Sequence, residues 1–129
     1  MSVAEALVRE GGCHCGAIRY RVTIRSRVVS ECNCSMCRKR GGLHLIVPDE
    51  DFALLSGSDA LTEYTFNTHV AKHLFCKRCG IHSFGRPRSQ PTKITVNLRC
   101  FDEDLSPLFA TTAFDGVNWE RTMAERSKP

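Results

Sequence analysis

No apolar run in this chain approaches the roughly 20 residues that a membrane-spanning helix needs, which removes a helical membrane anchor from consideration. The opening stretch MSVAEALVREGG has no basic segment followed by a long apolar core, so no secretory signal is visible. An intracellular, cytoplasmic setting is expected, with the nucleus as a second option. There is no internal repeat, low-complexity tract or linker, so nothing divides the 129 residues into two domains. Residues 10–129 are expected to form one domain behind a loose or short helical lead-in at 1–9. Long helical periodicity is also scarce, which argues against a helix bundle. Aromatic residues make up only 8% and the basic residues are scattered, so the aromatic–basic motif of a nucleic-acid binder is missing.

Cysteine, by contrast, is abundant: the chain has eight. Reduced compartments disfavour disulfides, so these thiols read as metal ligands or reactive groups. They also alter the charge. The formal net charge is +4; seven thiolates holding two Zn²⁺ ions would remove seven charges and restore four, leaving +1. The apparent basicity, and with it much of the case for a nucleic-acid surface, then largely disappears.

The chain reads as mainly β with short helical segments. Ile18, Tyr20, Val22 and Ile24 alternate with Arg19, Arg21 and Thr23, the period-two pattern of a half-buried strand. RVVSEC suggests a second strand running into a group of cysteines. LHLIVP and FALLSG read as strands on either side of a Pro-Asp turn. LTEYTF and VAKHLFC flank Asn67 to His69, which suggests a hairpin. KITVNLRC is another strand, with Ile94, Val96 and Leu98 on one face. DGVNWERTMAERSKP suits a terminal helix with Asn118 at its N-cap. Phe52, Leu54, Tyr64 and Phe66 are core candidates, and Trp119 is expected to anchor the terminal helix on the sheet.

Two cysteine constellations carry the chemistry. In GGCHCG, Cys13 and Cys15 are two apart and point the same way in an extended segment. CKRCG supplies Cys76 and Cys79 in a knuckle turn where Gly80 can take a positive φ. Together they make a Cys₄ set, the closed tetrahedral site of a structural zinc. The second constellation, in ECNCSMCRKRGG, is Cys32, Cys34 and Cys37. Three protein ligands with one open position form the pattern of a catalytic zinc. Closure by Cys100, His44, His73 or His82 would instead make it a second structural site. Iron–sulfur runs use other spacings.

GGCHCGAIRYRV, ECNCSMCRK, LTEYTFNTH, HLFCKRCGIHSF, PRS and FDGVNWE, in this order, resemble the glutathione-dependent formaldehyde-activating enzyme family, whose eukaryotic members include centromere protein V. The resemblance covers nearly the whole chain. It implies a β-rich, zinc-stapled fold of the Mss4-like type, with two Zn²⁺ per chain. One is structural at Cys13, Cys15, Cys76 and Cys79. The other is of catalytic type at Cys32, Cys34 and Cys37, with the fourth position left for water or a substrate thiol. The implied activity is that of a carbon–sulfur lyase forming or cleaving S-(hydroxymethyl)glutathione, or a related thiol adduct. Its partners would be a small thiol such as glutathione, together with formaldehyde.

Around these sites, Arg38, Lys39 and Arg40 can receive the carboxylates of glutathione, or can simply be a solvated basic turn. His82 can orient a thiolate, and His44 can approach the open metal position; either can equally be a structural histidine. His14 is expected to point away from the metal. Cys100 is the odd cysteine, a buried thiol or a fourth ligand. Arg86 and Arg88 can line an anionic pocket or remain solvated. Two other classes stand beside the enzyme reading. One is a non-catalytic zinc-stabilised module binding a protein, chromatin or cytoskeletal partner; the other is a redox or metal-buffering protein with labile thiols.

Overall fold

The alternation from Ile18 onward is realised in full: Ile18, Tyr20, Val22 and Ile24 are completely buried, while Arg21 is exposed. Each of these side chains contributes roughly 1.5–3 kcal/mol by leaving water. The computed structural model describes residues 5–126. Its strands form two sheets. The smaller contains β1 (Leu7–Gly12), β2 (Arg19–Ile24) and β5 (Phe52–Ser56), in the order β1-β2-β5. The larger contains β3 (Val28–Cys32), β4 (His44–Val47), β6 (Leu61–Tyr64), β7 (Lys72–Cys76), β8 (Phe84–Arg86), β9 (Ile94–Asn97) and β10 (Ala110–Phe114). Their order is β10-β3-β4-β9-β8-β7-β6. All the pairings are antiparallel except β10 with β3, which run parallel and place Phe114 opposite Cys32.

One apolar core joins the sheets. Tyr20 of β2 meets Phe84 of β8 edge-on at 5.8 Å and Phe52 at 5.2 Å, and its hydroxyl donates to the Ser83 carbonyl at 3.3 Å. Val29, Leu45, Val47, Ile94 and Val96 complete the large-sheet side. The expected hairpin at Asn67 to His69 is present: β6 and β7 pair from Leu61↔Cys76 to Tyr64↔His73, and Asn67 and His69 both take positive φ in the turn. Among the described residues, no helix is long and apolar enough to cross a membrane.

Several local expectations need correction. The lead-in is neither loose nor helical from Leu7 onward but is β1, registered on β2 by Glu10, which lies opposite Arg21 and pairs with it at 3.0 Å. Residues 1–4 lie outside the described part. Arg38, Lys39 and Arg40 are not a turn but the end of a short helix, α1 (Ser35–Arg40), which begins inside the cysteine triplet. The turn after Pro48 exists, as one 3₁₀ turn over Asp49–Asp51, but the strands it joins, β4 and β5, belong to different sheets. Of the core candidates, Phe52 packs on the core, while Leu54, Tyr64 and Phe66 are 37%, 48% and 36% exposed. Leu54 and Tyr64 lie on edge strands, β5 and β6, and Phe66 follows β6 into the turn. The terminal helix is α2 (Trp119–Arg126), and the last three residues of its expected span lie outside the described part. Asn118 precedes the helix and its carbonyl accepts from Thr122 N–H at 3.0 Å, but its side-chain amide donates to Asp115 at 2.9 Å.

Candidate metal centres and the adjoining cavity

The segment that follows β1 carries Cys13 and Cys15; β7 and the following turn carry Cys76 and Cys79. The small sheet and the large sheet therefore each contribute two sulfurs, and one ligand atom from each residue lies within 4.8 Å of the other three. Cys13 and Cys15 sulfurs are 3.6 Å apart, and Cys15 and Cys76 sulfurs 3.7 Å. A tetrahedral zinc with Zn–S bonds of about 2.3 Å sets its sulfurs about 3.8 Å apart, so these two separations and the four-thiol donor set fit that ion. Backbone N–H groups point at the sulfurs: Ile18 at Cys13 (3.3 Å) and Arg78 at Cys76 (3.4 Å). Such donors favour thiolate over thiol; the Cys15 N–H, followed by that of Ile81, pulls Cys79 down to about 6. Gly80 closes the knuckle at φ 77°, the left-handed region that glycine enters without penalty, and its N–H reaches the Cys76 carbonyl at 2.8 Å. His14, between Cys13 and Cys15, is exposed.

The second cluster is built by one turn of helix. Cys34 is the N-cap of α1, and its sulfur accepts from Cys37 N–H at 3.4 Å; Cys32 sulfur accepts from Cys34 N–H at the same distance. The α1 turn brings Cys37 back over Cys34, and all three sulfurs lie within 4.8 Å of one another. The thiols share protons unequally. Hydrogen bonding from Cys37, helped by the N–H groups of Cys34 and Gly116, pulls Cys32 down to about 6, whereas the same contact and burial push Cys37 up. A sulfur-seeking cation would relieve that competition. Gly116 packs directly on the cluster: a Cβ there would meet Cys32 Sγ at 2.6 Å and Cys34 Cβ at 2.9 Å.

Among the described residues, no fourth histidine, cysteine or carboxylate joins this cluster. Cys100 does not close it. Its sulfur lies 3.9 Å from the His82 carbonyl, and burial, then the charges of Cys13 and Cys79, push its thiol up to about 11. The triplet instead opens on a cavity of about 700 Å³. The cavity wall is apolar at Ile46, Phe66, Phe114 and Trp119. Four arginines line it, Arg40, Arg86, Arg88 and Arg126, and among the described residues no carboxylate does. Arg88 lies over the Trp119 ring at 4.2 Å, and Arg126 over Phe114 at 5.3 Å, cation–π contacts that fix both guanidinium groups. Arg86 is paired with Asp49 at 2.8 Å.

The sequence-derived substrate contacts divide. His44 lines the cavity, as does Arg40. Arg38 faces a separate hollow on the other side of the triplet, with Gly41, Arg99 and Asp115. Lys39 is exposed and lines neither hollow. His82 lines neither; its Nδ1 is 2.8 Å from the Leu74 carbonyl, and burial holds its pKa at about 3. Trp119 touches the sheet through Phe114, 5.9 Å between ring centres, but also forms cavity wall, a role that its apolar character did not reveal. Gly116 stands in FDGVNWE, one of the segments that carry the resemblance, but its contact with the triplet, like the place of Arg126 in the cavity wall, depends on the distant pairing of β10 with β3.

A family model described as "Glutathione-dependent formaldehyde-activating enzyme" matches residues 8–114. A relative from Halomonas elongata, provisionally named a glutathione-dependent formaldehyde-activating enzyme, is 34% identical over 82 residues, covering 57% of this chain and 52% of its own. A Phaeosphaeria nodorum relative with the same provisional name is 31% identical over 80 residues, covering 57% of this chain and 42% of its own. The chain thus spans about half the length of the curated relatives it matches. A crystal structure of a Rhodobacter sphaeroides protein superposes with a TM-score of 0.74 at 33% identity, covering 81% of this chain and 98% of that one. With its match running from β1 to the end of β10 and so embracing all eight cysteines, the chain belongs to the glutathione-dependent formaldehyde-activating enzyme family.

Proposed function

We propose that this protein is a zinc-dependent carbon–sulfur lyase that forms or cleaves S-(hydroxymethyl)glutathione or a closely related adduct of an acidic thiol. The observation that carries this reading is a three-sulfur cluster, one donor short of a tetrahedral set, in the wall of a cationic cavity. Two Zn²⁺ ions per chain are proposed, held by Cys13, Cys15, Cys76 and Cys79 and by Cys32, Cys34 and Cys37. Zinc at the triplet would supply the positive charge that keeps an arriving thiol deprotonated near neutral pH.

The chain's own residues do the rest. Arg88 and Arg126, braced on aromatic rings, present N–H donors to the carboxylates of an anionic thiol such as glutathione. Arg40 sits between the triplet and the far wall, with Nη2 3.5 Å from Cys37 Sγ, and adds fixed positive charge beside the reacting sulfur. The apolar wall at Phe66, Ile46 and Phe114 restricts water around the aldehyde carbon, and holding thiol and aldehyde together supplies most of the gain in rate. Eight free cysteines suit a reducing, cytoplasmic setting.

The test is the exchange between free formaldehyde and S-(hydroxymethyl)glutathione, followed by NMR with zinc-loaded protein, a folded Cys34→Ser variant, and buffer alone. Acceleration by the wild type only is expected. A zinc-loaded, folded wild type that leaves the buffer rate unchanged would sink this substrate pair.

A further inference from the structure

Two buried ring nitrogens have no hydrogen-bond partner, His44 Nε2 and His73 Nε2, and both rings line the cavity that holds the cysteine triplet. Buried polar atoms are nearly always paired, with protein or with water, so each of these nitrogens is available to an incoming polar group. His44 Nδ1 lies 3.3 Å from the Thr95 hydroxyl, which can donate or accept, so its tautomer is not fixed. His73 is different. Its Nδ1 lies 2.9 Å from Arg40 Nη1. A guanidinium has only donors, so Nδ1 must accept. Burial and the Arg40 charge hold the ring's pKa at about 4, so it is neutral at pH 7. The single ring proton is therefore on Nε2, the orphaned atom.

Phe66 stacks on the ring, 5.6 Å between centres and 18° between planes, and Arg40, which holds Nδ1, is itself tied to Cys37. One guanidinium thus connects the sulfur cluster to a neutral imidazole in the wall of the same cavity. We infer that His73 Nε2–H is the hydrogen-bond donor for the aldehyde-derived oxygen of the substrate, with Arg40 as the positioning residue that sets its tautomer. This rests on the lyase reading above.

The chemistry balances with a donor that never gives up its proton. In the forming direction, a sulfur electron pair of the thiolate makes the C–S bond, and the C=O π pair moves onto oxygen. His73 Nε2–H stabilises that oxygen as its charge develops. Water then protonates it, returning the proton that the thiol released to water. Cleavage is the reverse. A neutral imidazole suits this role because it presents a donor without adding a second cation beside Arg40.

The experiment uses zinc-loaded, ¹⁵N-histidine-labelled wild type, with His73 assigned through His73→Phe, which keeps an aromatic ring for Phe66 to stack on. The protein is titrated with a glutathione–formaldehyde mixture and, separately, with S-methylglutathione, which lacks the oxygen. The expected result is an Nε2–H tautomer at rest, and an Nε2–H shift with the hydroxymethyl adduct only. Kinetically, His73→Phe should lose about 10²-fold in kcat with KM and zinc content retained, and His73→Gln, whose amide N–H can reach a similar position, should recover part of it. A proton found on Nδ1, or equal shifts with both ligands, overturns the assignment whatever the activity. An oxygen-dependent shift in a protein that accelerates nothing would leave the donor in place and refute the lyase reading instead.

Discussion

Replacing Gly116 with alanine tests how the triplet is covered. Gly116 follows β10, and its N–H contributes to lowering the Cys32 thiol. An alanine Cβ would sit 2.6 Å from Cys32 Sγ, 2.9 Å from Cys34 Cβ and 3.4 Å from Cys34 N. Comfortable contacts of this kind begin near roughly 3.5 Å, so Cys32 Sγ must move by about 1 Å. Metal–ligand distances tolerate only about 0.2 Å. The expected loss is about 10–100-fold in zinc affinity at the triplet, the range seen when groups supporting metal ligands are removed. The strain should cost about 1–3 kcal/mol of stability. The Cys₄ site touches none of these atoms and should keep its metal. Competition with a graded series of zinc chelators measures both sites. Wild type should show two binding steps and Gly116→Ala one step unchanged and one weakened. Two unchanged steps in the variant would refute the reasoning from close contact.

Removing one sulfur of the Cys₄ set, as in Cys76→Ser, should cost several kcal/mol if, as proposed, an ion there links the two sheets, and chelator should no longer lower the melting temperature much further; calorimetry with and without chelator checks this. Arg88→Ala and Arg126→Ala should each raise KM for glutathione about 10-fold with little change in kcat, and a neutral thiol should not discriminate between variant and wild type; steady-state kinetics with both thiols decides. Burial, followed by nearby positive charge, depresses His44 to about 4 and His82 to about 3, against an ordinary 6.5. Between those values the unfolded chain binds more protons than the folded one, so their contribution to stability is complete above pH 6.5 and falls as the pH drops toward 4. Urea midpoints across that window should therefore fall more steeply with acid in wild type than in His82→Phe, and parallel curves would count against burial as the cause.

The parts of the fold that were legible are those whose signals are local. Alternation in β2 needs only seven residues to show, and the turn at Asn67 to His69 is marked by residues that tolerate positive φ. The cysteine spacings show which sulfurs can share an ion, because a C-x-C or C-x-x-C pair brings its own geometry. What stayed hidden depends on distant partners. The β10 segment ATTAF is exposed over most of its length and joins the sheet in parallel, so no turn or apolar face announces it. Helix α1 is six residues, too short for a period, and its cap is a cysteine, whose place in a metal-ligand spacing masks its role as cap. Sequence could name three histidines as candidates for closing the triplet but could not tell that His44 and His73 are wall residues, held by Thr95 and Arg40 from other elements, and that His82 lines neither hollow.

The parallel pairing of β10 with β3 also sets an order of assembly. The cysteine triplet and its cover are far apart in the chain: Asn33, beside the triplet, meets Asp115 across 82 residues. During synthesis the three thiols emerge long before Gly116 and Phe114 exist to roof them. A metal ion can therefore be captured by a short, open chelate and enclosed afterwards, rather than having to pass a finished wall. Closing that long loop is entropically a late event, so β10 should be the last strand of the large sheet to gain protection from hydrogen exchange in refolding, and loading with metal should precede it.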